Sequence, residues 1–321
     1  MPTSLSRFAR RVSRALPLAL LFILLPQGPA SASMSPQVYV TNRANHTVVR
    51  ANLDGSNPQS LGNPGGFLAD PGGIAIDVAR GKMYVVSQGT NSIVRANLNG
   101  TNPENLGNLG GFLSSPASIA LDLSSDHMYV TSGANNIVVR ANLDGTGAQN
   151  LGNPGGFLSG PAGIAVRNSQ MYIANFTSNT VVRANLDGTG AVNLGNPGGL
   201  LSNPAGIAIL GSKMYLASAS NTQIVRANLD GTSPENLANP GGFLSFPTGI
   251  AIDPHGQRMY LSSFANHRIV SADLDGTSPQ NVGDLGGLLT PNNPNGIALA
   301  IRPPARAPTL AGLGIMLLAG L

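Results

Sequence analysis

Six side chains in this 321-residue sequence have the types and placement that recognition chemistry needs: Arg43, His46, Phe176, Phe264, His267 and Arg268. They fall in three short stretches, Asn42-Arg43-Ala44-Asn45-His46, Asn175-Phe176-Thr177 and Phe264-Ala265-Asn266-His267-Arg268. Guanidinium groups hold carboxylates and phosphates, and phenyl rings supply apolar contact area, so the set reads as a polar and aromatic rim that grips a partner. Ordinary variation of solvated loops is the competing reading. Catalysis leaves no comparable signature. There is no cysteine, no Gly-x-Ser-x-Gly elbow, no His-Glu-x-x-His pair and no phosphate loop. The two glutamates, Glu104 and Glu235, each stand just after an Asn-Gly or Asp-Gly turn, at matching places. No catalytic residue, metal or cofactor is expected.

The elements that must position these side chains are repeats. All six tyrosines, Tyr39, Tyr84, Tyr129, Tyr172, Tyr215 and Tyr260, recur at spacings of 45, 45, 43, 43 and 45 residues. A period in the forties made of short strands marks the blades of a β-propeller, since a four-stranded blade needs about that length. In the third copy the strand-like pieces are Met128 to Thr131, Ile137 to Leu143, Gln149 to Leu151 and Gly163 to Val166. Asp144-Gly145 sits where a tight hairpin needs positive φ, and the pair recurs at Asp54, Asp187, Asp230 and Asp275, with Asn99-Gly100 in its place once. These aspartates read as turn chemistry rather than calcium ligands. The longer connection, Asn-Pro-Gly-Gly-Phe-Leu as at Asn63 to Leu68, ends in Pro-x-Gly-Ile-Ala and looks like an apolar plug folded over the blade. Phe67, Phe112, Phe157 and Phe243 are accordingly expected in the core between blades rather than around a ligand.

The phase of the repeat predicts closure. The repeat region begins at the strand holding Val38 and Tyr39 and ends on Gly296-Ile297-Ala298-Leu299, the piece that elsewhere precedes the tyrosine strand. Pairing the two completes the first blade and leaves no open edge. The expected fold is therefore all-β: a six-bladed β-propeller, four antiparallel strands per blade, with the ring closed by the C-terminal strand. Closure makes blades 1 and 6 neighbours, so His46 and His267 come to equivalent places on adjacent blades. Loops of adjacent blades spread apart, and the two imidazoles are not expected to share a metal.

These stretches resemble the LDL-receptor class B, or YWTD, repeat: Tyr129-Val130-Thr131, then Arg140-Ala141-Asn142-Leu143-Asp144-Gly145, and Pro71-Gly72-Gly73-Ile74-Ala75-Ile76-Asp77. The resemblance spans residues 36 to 301 and implies the same blade type. The tryptophan of that pattern is missing throughout, and Asn42 or a small residue replaces its aspartate. The cysteine-rich module that accompanies such propellers in receptors is absent too, which speaks against a receptor role. Secreted bacterial proteins with NHL-like or lactonase-like propellers are the nearer analogy. Lactonases of the gluconolactonase type resemble this fold and hold a divalent metal over the channel with Glu, Asn and Asp side chains. No singular carboxylate breaks the repeat here near the axis.

The ends differ in kind. Arg7, Arg10, Arg11 and Arg14 precede an apolar run from Ala15 to Leu25 and an Ala30-Ser31-Ala32 site, which reads as a signal peptide over residues 1–32 and predicts export. Those four arginines carry the basic excess behind the pI of 9.8, since the remainder holds equal numbers of acidic and basic residues. No nucleic-acid partner is expected. Residues 302–321 form a proline-rich joint and a short apolar tail. With Pro308-Thr309-Leu310 and Gly314 it resembles bacterial C-terminal sorting signals, and a GPI signal has similar features. Any membrane association is expected through this tail alone. The expected function is that of a monomeric, exported, non-catalytic binding or adhesion propeller (residues 33–301) that presents loops on one face to a protein or glycan. The alternative is a metal-dependent hydrolase or lyase of the lactonase or streptogramin-lyase kind.

Overall fold

The computed structural model describes residues 35–291 and 293–301. The expected signal peptide and C-terminal tail lie outside them. Among the described residues the chain forms six four-stranded antiparallel sheets, the blades of a propeller. In blade 3 the strands are Pro116–Asp122, His127–Ser132, Ile137–Asn142 and Gln149–Asn150, running from the axis outward. The second of these carries the tyrosine; three of the pieces expected for the third copy are the outer strands of this blade, and the fourth, Gly163 to Val166, falls in Pro161–Arg167, the inner strand of blade 4.

Blade 1 is assembled from both ends of the repeat region. Pro294–Ala300 pairs with Gln37–Asn42, with Val38 opposite Leu299 and Tyr39 opposite Ala298. The pairing supplies backbone partners to two strands that would otherwise present open edges.

The hydrophobic core lies between blades rather than within them. Because side chains alternate across a strand, each tyrosine strand faces a different neighbour with its odd and even residues. Tyr129 of blade 3 packs with Ile164, Met171 and Ile173 of blade 4, and Tyr172 of blade 4 packs in turn with Ile207, Met214 and Leu216 of blade 5. The phenol keeps two polar contacts: Tyr39 Oη lies 3.0 Å from the Leu98 carbonyl oxygen of blade 2, to which Arg50 also donates, and 3.2 Å from Gln37 Oε1. Burial pushes the Tyr39 hydroxyl above the ordinary tyrosine range.

Close backbone approach is the rule near the axis. In every blade the inner strand is bulged between its proline and its isoleucine, which pushes the intervening residues against the next blade. A Cβ on Gly163 would fall 2.6 Å from the Ala205 carbonyl oxygen and 2.9 Å from the Ile207 nitrogen, so only glycine fits there. Hydroxyls bridge three of the six junctions. Gly296 N–H donates to Thr41 Oγ1 at 2.8 Å, and that hydroxyl donates to the Gly72 carbonyl at 2.7 Å. Thr131 and Ser262 make the same link in blades 3 and 6.

The plug in the long connection is leucine rather than phenylalanine. Leu68, Leu113, Leu158, Leu201, Leu244 and Leu289 are all buried, and Asn63 clamps its loop through both its amide and Leu68's N–H. The phenylalanine ring instead covers its own turn. A Cβ on Gly65 would strike the Phe67 ring, and Gly65 has φ of 66°. Phe112 and Phe243 reach the core only in part, and Phe157 is 38% exposed.

The Asp-Gly turns are hydrogen-bonded as the sequence predicts. Asp144 Oδ1 accepts the backbone N–H and the hydroxyl of Thr146, and Asp54, Asp187, Asp230 and Asp275 repeat the arrangement. Those bonds hold all five carboxyls below the usual aspartate range, chiefly through the Ser or Thr hydroxyl. A lowered folded pKa stabilises above the unfolded carboxylate range and is lost as pH falls through the folded one. Thermal unfolding followed by circular dichroism is therefore expected to give a level midpoint around neutrality that drops once pH passes below the carboxylate range. In the same assay Gly163→Ala is expected to cost about 1–3 kcal/mol through overpacking, lowering the midpoint by several degrees.

Candidate functional site

The six inner strands enclose a channel of about 500 Å³ along the axis. Its interior is lined by one isoleucine per blade, Ile74, Ile119, Ile164, Ile207, Ile250 and Ile297, and by the small residues after each proline. Three of those residues are polar, Ser118 in blade 3, Thr248 in blade 6 and Asn295 in blade 1, and the last two are linked, Thr248 Oγ1 donating to the Asn295 carbonyl at 3.1 Å.

Two circular stations form the mouth. The first is the residue that follows each tyrosine strand: Arg43, Gln88, Gly133, Phe176, Ala219 and Phe264 in blades 1 to 6. The strand ends there because the chain must turn toward the third strand, so side chains at this station are free of ladder constraints and free to differ. Arg43, Gln88, Phe176 and Phe264 line the channel. In a ring of six, blade 4 stands opposite blade 1, which sets Phe176 across the mouth from Arg43.

The second station is the residue before the inner-strand proline: Asp70, Ser115, Gly160, Asn203, Phe246 and Asn293. All six have positive φ, between 48° and 58°. Five are glycine, asparagine, aspartate or serine, which tolerate that conformation or bond locally within it. Phe246 is bulky, at φ of 54°, and pays a steric penalty on the order of 1–3 kcal/mol. Its ring lies 6.4 Å from that of Phe176 and 6.1 Å from that of Phe264, each pair tilted by 58°. That spacing is favourable for aromatic pairs. The three rings form one continuous wall over blades 4 to 6, and all three line the channel.

Opposite the wall the mouth is polar. Gln88 Nε2 donates to Ser115 Oγ at 2.8 Å. Arg43 is partly buried, and among the described residues its guanidinium has no hydrogen bond or ion pair. It is also the one ionisable side chain among the described residues that line the channel. The other mouth-side arginine, Arg268, makes only a long contact, from Nε to the Asn266 carbonyl at 3.4 Å, and is not part of the lining.

The histidines have a different position. The Asp70 N–H donates to His46 Nδ1 at 2.9 Å, and the Asn293 N–H donates to His267 Nδ1 at 3.3 Å. Asn91, Asn136 and Asn179 accept the corresponding N–H groups of Ser115, Gly160 and Asn203 through Oδ1. All five residues sit at φ between 52° and 60°, where asparagine and histidine are enriched. Each therefore ties a turn to the next blade's inner connection, and an accepting Nδ1 places the ring proton on Nε2. Among the described residues no three His, Cys, Asp or Glu side chains gather as a metal site. The glutamates are held in ion pairs, Glu104 with Arg95 and Glu235 with Arg226, away from the channel lining.

Of the six residues singled out from sequence, the structure brings Arg43, Phe176 and Phe264 together at the mouth. It sets His46 and His267 at inter-blade tethers. Phe246 and Gln88 were not singled out, although alignment of the copies on the residue before proline marks Phe246 as the one bulky side chain in its column.

No family model and no curated protein matches the chain. Among solved structures it is similar to a chain of a nidogen/laminin complex (TM-score 0.70, 19% identity, covering 83% of this chain and 99% of that one). It is also similar to a catalytically inactive virginiamycin B lyase from Staphylococcus aureus with quinupristin (TM-score 0.53, 18% identity, 70% of this chain and 73% of that one). A streptogramin B lyase structure matches at TM-score 0.52 and 17% identity over 66% of this chain and 67% of that one. Together with the six four-stranded blades, these likenesses define the class: the chain is a β-propeller.

The tether reading is tested by substitution. His46→Asn, which restores the acceptor used in blades 2 to 4, is expected to leave the thermal midpoint close to the parent's. His46→Ala leaves the Asp70 N–H without its partner and is expected to cost about 1–3 kcal/mol in denaturant unfolding.

Proposed function

We propose that the chain is an exported, non-catalytic binding propeller that presents its channel-mouth face to an extracellular partner. The observation that carries this reading is the mouth itself. On a scaffold of near-identical blades, three phenylalanines converge from blades 4 and 6 into one wall facing Arg43, which has no partner among the described residues. One of them, Phe246, is a bulky residue in a positive-φ conformation that the other five blade junctions share but fill with small or polar residues. Strain that packing alone does not require points to use at that place. Recognition sites on repeated scaffolds are built in this manner, from deviant loop residues on a rigid frame.

Export rests on the basic-then-apolar N-terminal segment and its Ala30-Ser31-Ala32 site, and attachment, if any, on residues 302–321. A protein partner is in keeping with the neighbouring nidogen/laminin structure, which is that of a complex. The lyase neighbours favour a second reading, a hydrolase or lyase acting at the same mouth. General acid–base chemistry needs a proton donor and acceptor within reach of substrate. At this mouth the described lining offers Arg43 as its single ionisable group.

The two readings separate in one set of measurements on the purified full chain: metal content by inductively coupled plasma mass spectrometry, thermal unfolding with and without chelator, and turnover of lactones and a streptogramin. A binding propeller is expected to hold no stoichiometric divalent metal, to melt at the same temperature with chelator and to turn nothing over. A stoichiometric metal lost together with stability, or turnover abolished by Arg43→Ala, would reverse the assignment in favour of an enzyme.

A further inference from the structure

Resting on the binding reading above, we propose that the mouth takes a small organic acid with a planar apolar body, its carboxylate on Arg43 and its ring against Phe176, Phe246 and Phe264. This narrows the partner from the protein or glycan expected from sequence to a free small molecule.

Charge comes first. Several basic side chains of the propeller are matched to carboxylates: Arg80 with Asp77 and Asp126, Arg95 with Glu104, Arg226 with Glu235, Arg258 with Asp273; Arg167, Arg183 and Arg268 have no ion pair among the described residues, but none of them lines the channel. Arg43 stands in a concave site with five N–H donors and no acceptor among the described residues. A planar carboxylate satisfies two of those donors at once, which neither an alcohol nor an amide does.

Shape and polarity set the rest of the molecule. The channel volume of about 500 Å³ lies in the range of small-molecule pockets. Its walls below the mouth are mainly isoleucine, glycine and alanine, with Thr248 and Asn295 as the polar positions on the Arg43 side and Ser118 in blade 3. Three rings tilted by 58° to their neighbours leave an apolar concavity that suits an aromatic body by stacked or edge contact. A sugar acid also carries a carboxylate, but it would set a row of hydroxyls against those phenyl rings with few hydrogen-bonding partners.

The wall is also the place where stability and binding oppose each other. Asn203 and Asn293 occupy the station of Phe246 at φ of 52° and 49° without steric penalty. Phe246→Asn therefore relaxes the backbone while removing the middle ring of the wall. A residue kept only for packing would not show that opposition.

The chain has no tryptophan, so an indole ligand can be followed by its own fluorescence. The full chain is titrated with indole-3-carboxylate, its neutral isostere indole-3-carboxamide, and glucuronate. The acid is expected to bind at least about tenfold more tightly than the amide, and glucuronate more weakly than either. Arg43→Gln is expected to abolish the preference for acid over amide while leaving the amide's affinity unchanged. Phe246→Asn is expected to raise the thermal midpoint and to weaken both indoles by about tenfold or more. His46→Asn, outside the mouth, is expected to leave all three affinities unchanged. Equal binding of acid and amide, an Arg43→Gln variant that keeps the preference, or glucuronate bound most tightly would overturn the proposal. If no probe binds but a macromolecular partner is lost on Phe246→Asn, the ligand class is wrong and the binding reading stands. If turnover appears instead, the binding reading falls with it.

Discussion

The structure depends on the approach of six inner strands, backbone against backbone, around a single axis. The atoms that meet there leave no room for a side chain at Gly163 or Gly296, where an added Cβ would lie within 2.6 Å of a neighbouring carbonyl oxygen. That contact sets the bore of the channel, keeps its lining small and forces the hydrophobic core outward into the gaps between blades. It also explains why hydroxyls recur in the tyrosine strand at Thr41, Thr131 and Ser262. A bulged inner strand exposes one N–H and one carbonyl at each junction, and a single hydroxyl can both accept from the first and donate to the second. In blades 2, 4 and 5 the same position is Val86, Ala174 or Ala217, so the ring tolerates the loss of this link at three junctions, while the residue before the inner-strand isoleucine stays glycine in every blade but the third, which has Ser118.

With the axis and the core fixed by this packing, variation is left to the two stations of the mouth. The repeat is legible in the sequence because its constraints are local: a tyrosine every 43 to 45 residues, an Asp-Gly pair where a hairpin needs positive φ, and a Pro-x-Gly-Ile strand start. Closure was legible as well, since phase is a property of order along the chain. Arg43, Phe176 and Phe264 could be found as deviations in one column. Phe246 escaped that search because it lies in a different column, before the inner-strand proline, and only the folded ring sets it between Phe176 and Phe264. The histidines show the opposite pattern. Chemically they stand out from Asn91, Asn136 and Asn179, yet they share those residues' backbone conformation and their task of accepting one neighbouring N–H. Sequence contrast identifies chemical difference, and here it coincided with structural equivalence. The leucine plugs were half legible, since Phe and Leu are both apolar and only the geometry of the Gly-Gly turn decides that the ring folds back over glycine while the leucine goes inward.

The missing tryptophan and cysteine pose no difficulty for cohesion. Between blades the tyrosine supplies a large buried surface, and in blade 1 its hydroxyl also reaches a carbonyl of the next blade. An arginine from the third strand reaches the corresponding carbonyl, as Arg95 does to Leu143 and Arg226 to Leu274. The arginine contact is made at three junctions and the buried tyrosine at all six, so cohesion is spread around the ring. Covalent cross-links matter most where a small core cannot supply enough burial, and this propeller has one core cluster after another around its circumference.

The way blade 1 is made has a bearing on timing. Thr41 waits for the N–H of Gly296, 255 positions away, and the tyrosine strand beside it has no inner partner until Pro294–Ala300 arrives. Five blades are built from contiguous sequence and can assemble as they emerge, whereas the first cannot be finished until nearly the whole repeat region is present. Ring sealing is thus the slowest-range event in the folding of this molecule. A chain cut short anywhere before residue 294 keeps a raw strand edge, and so carries a mark by which proteases or chaperones can tell it from a finished one.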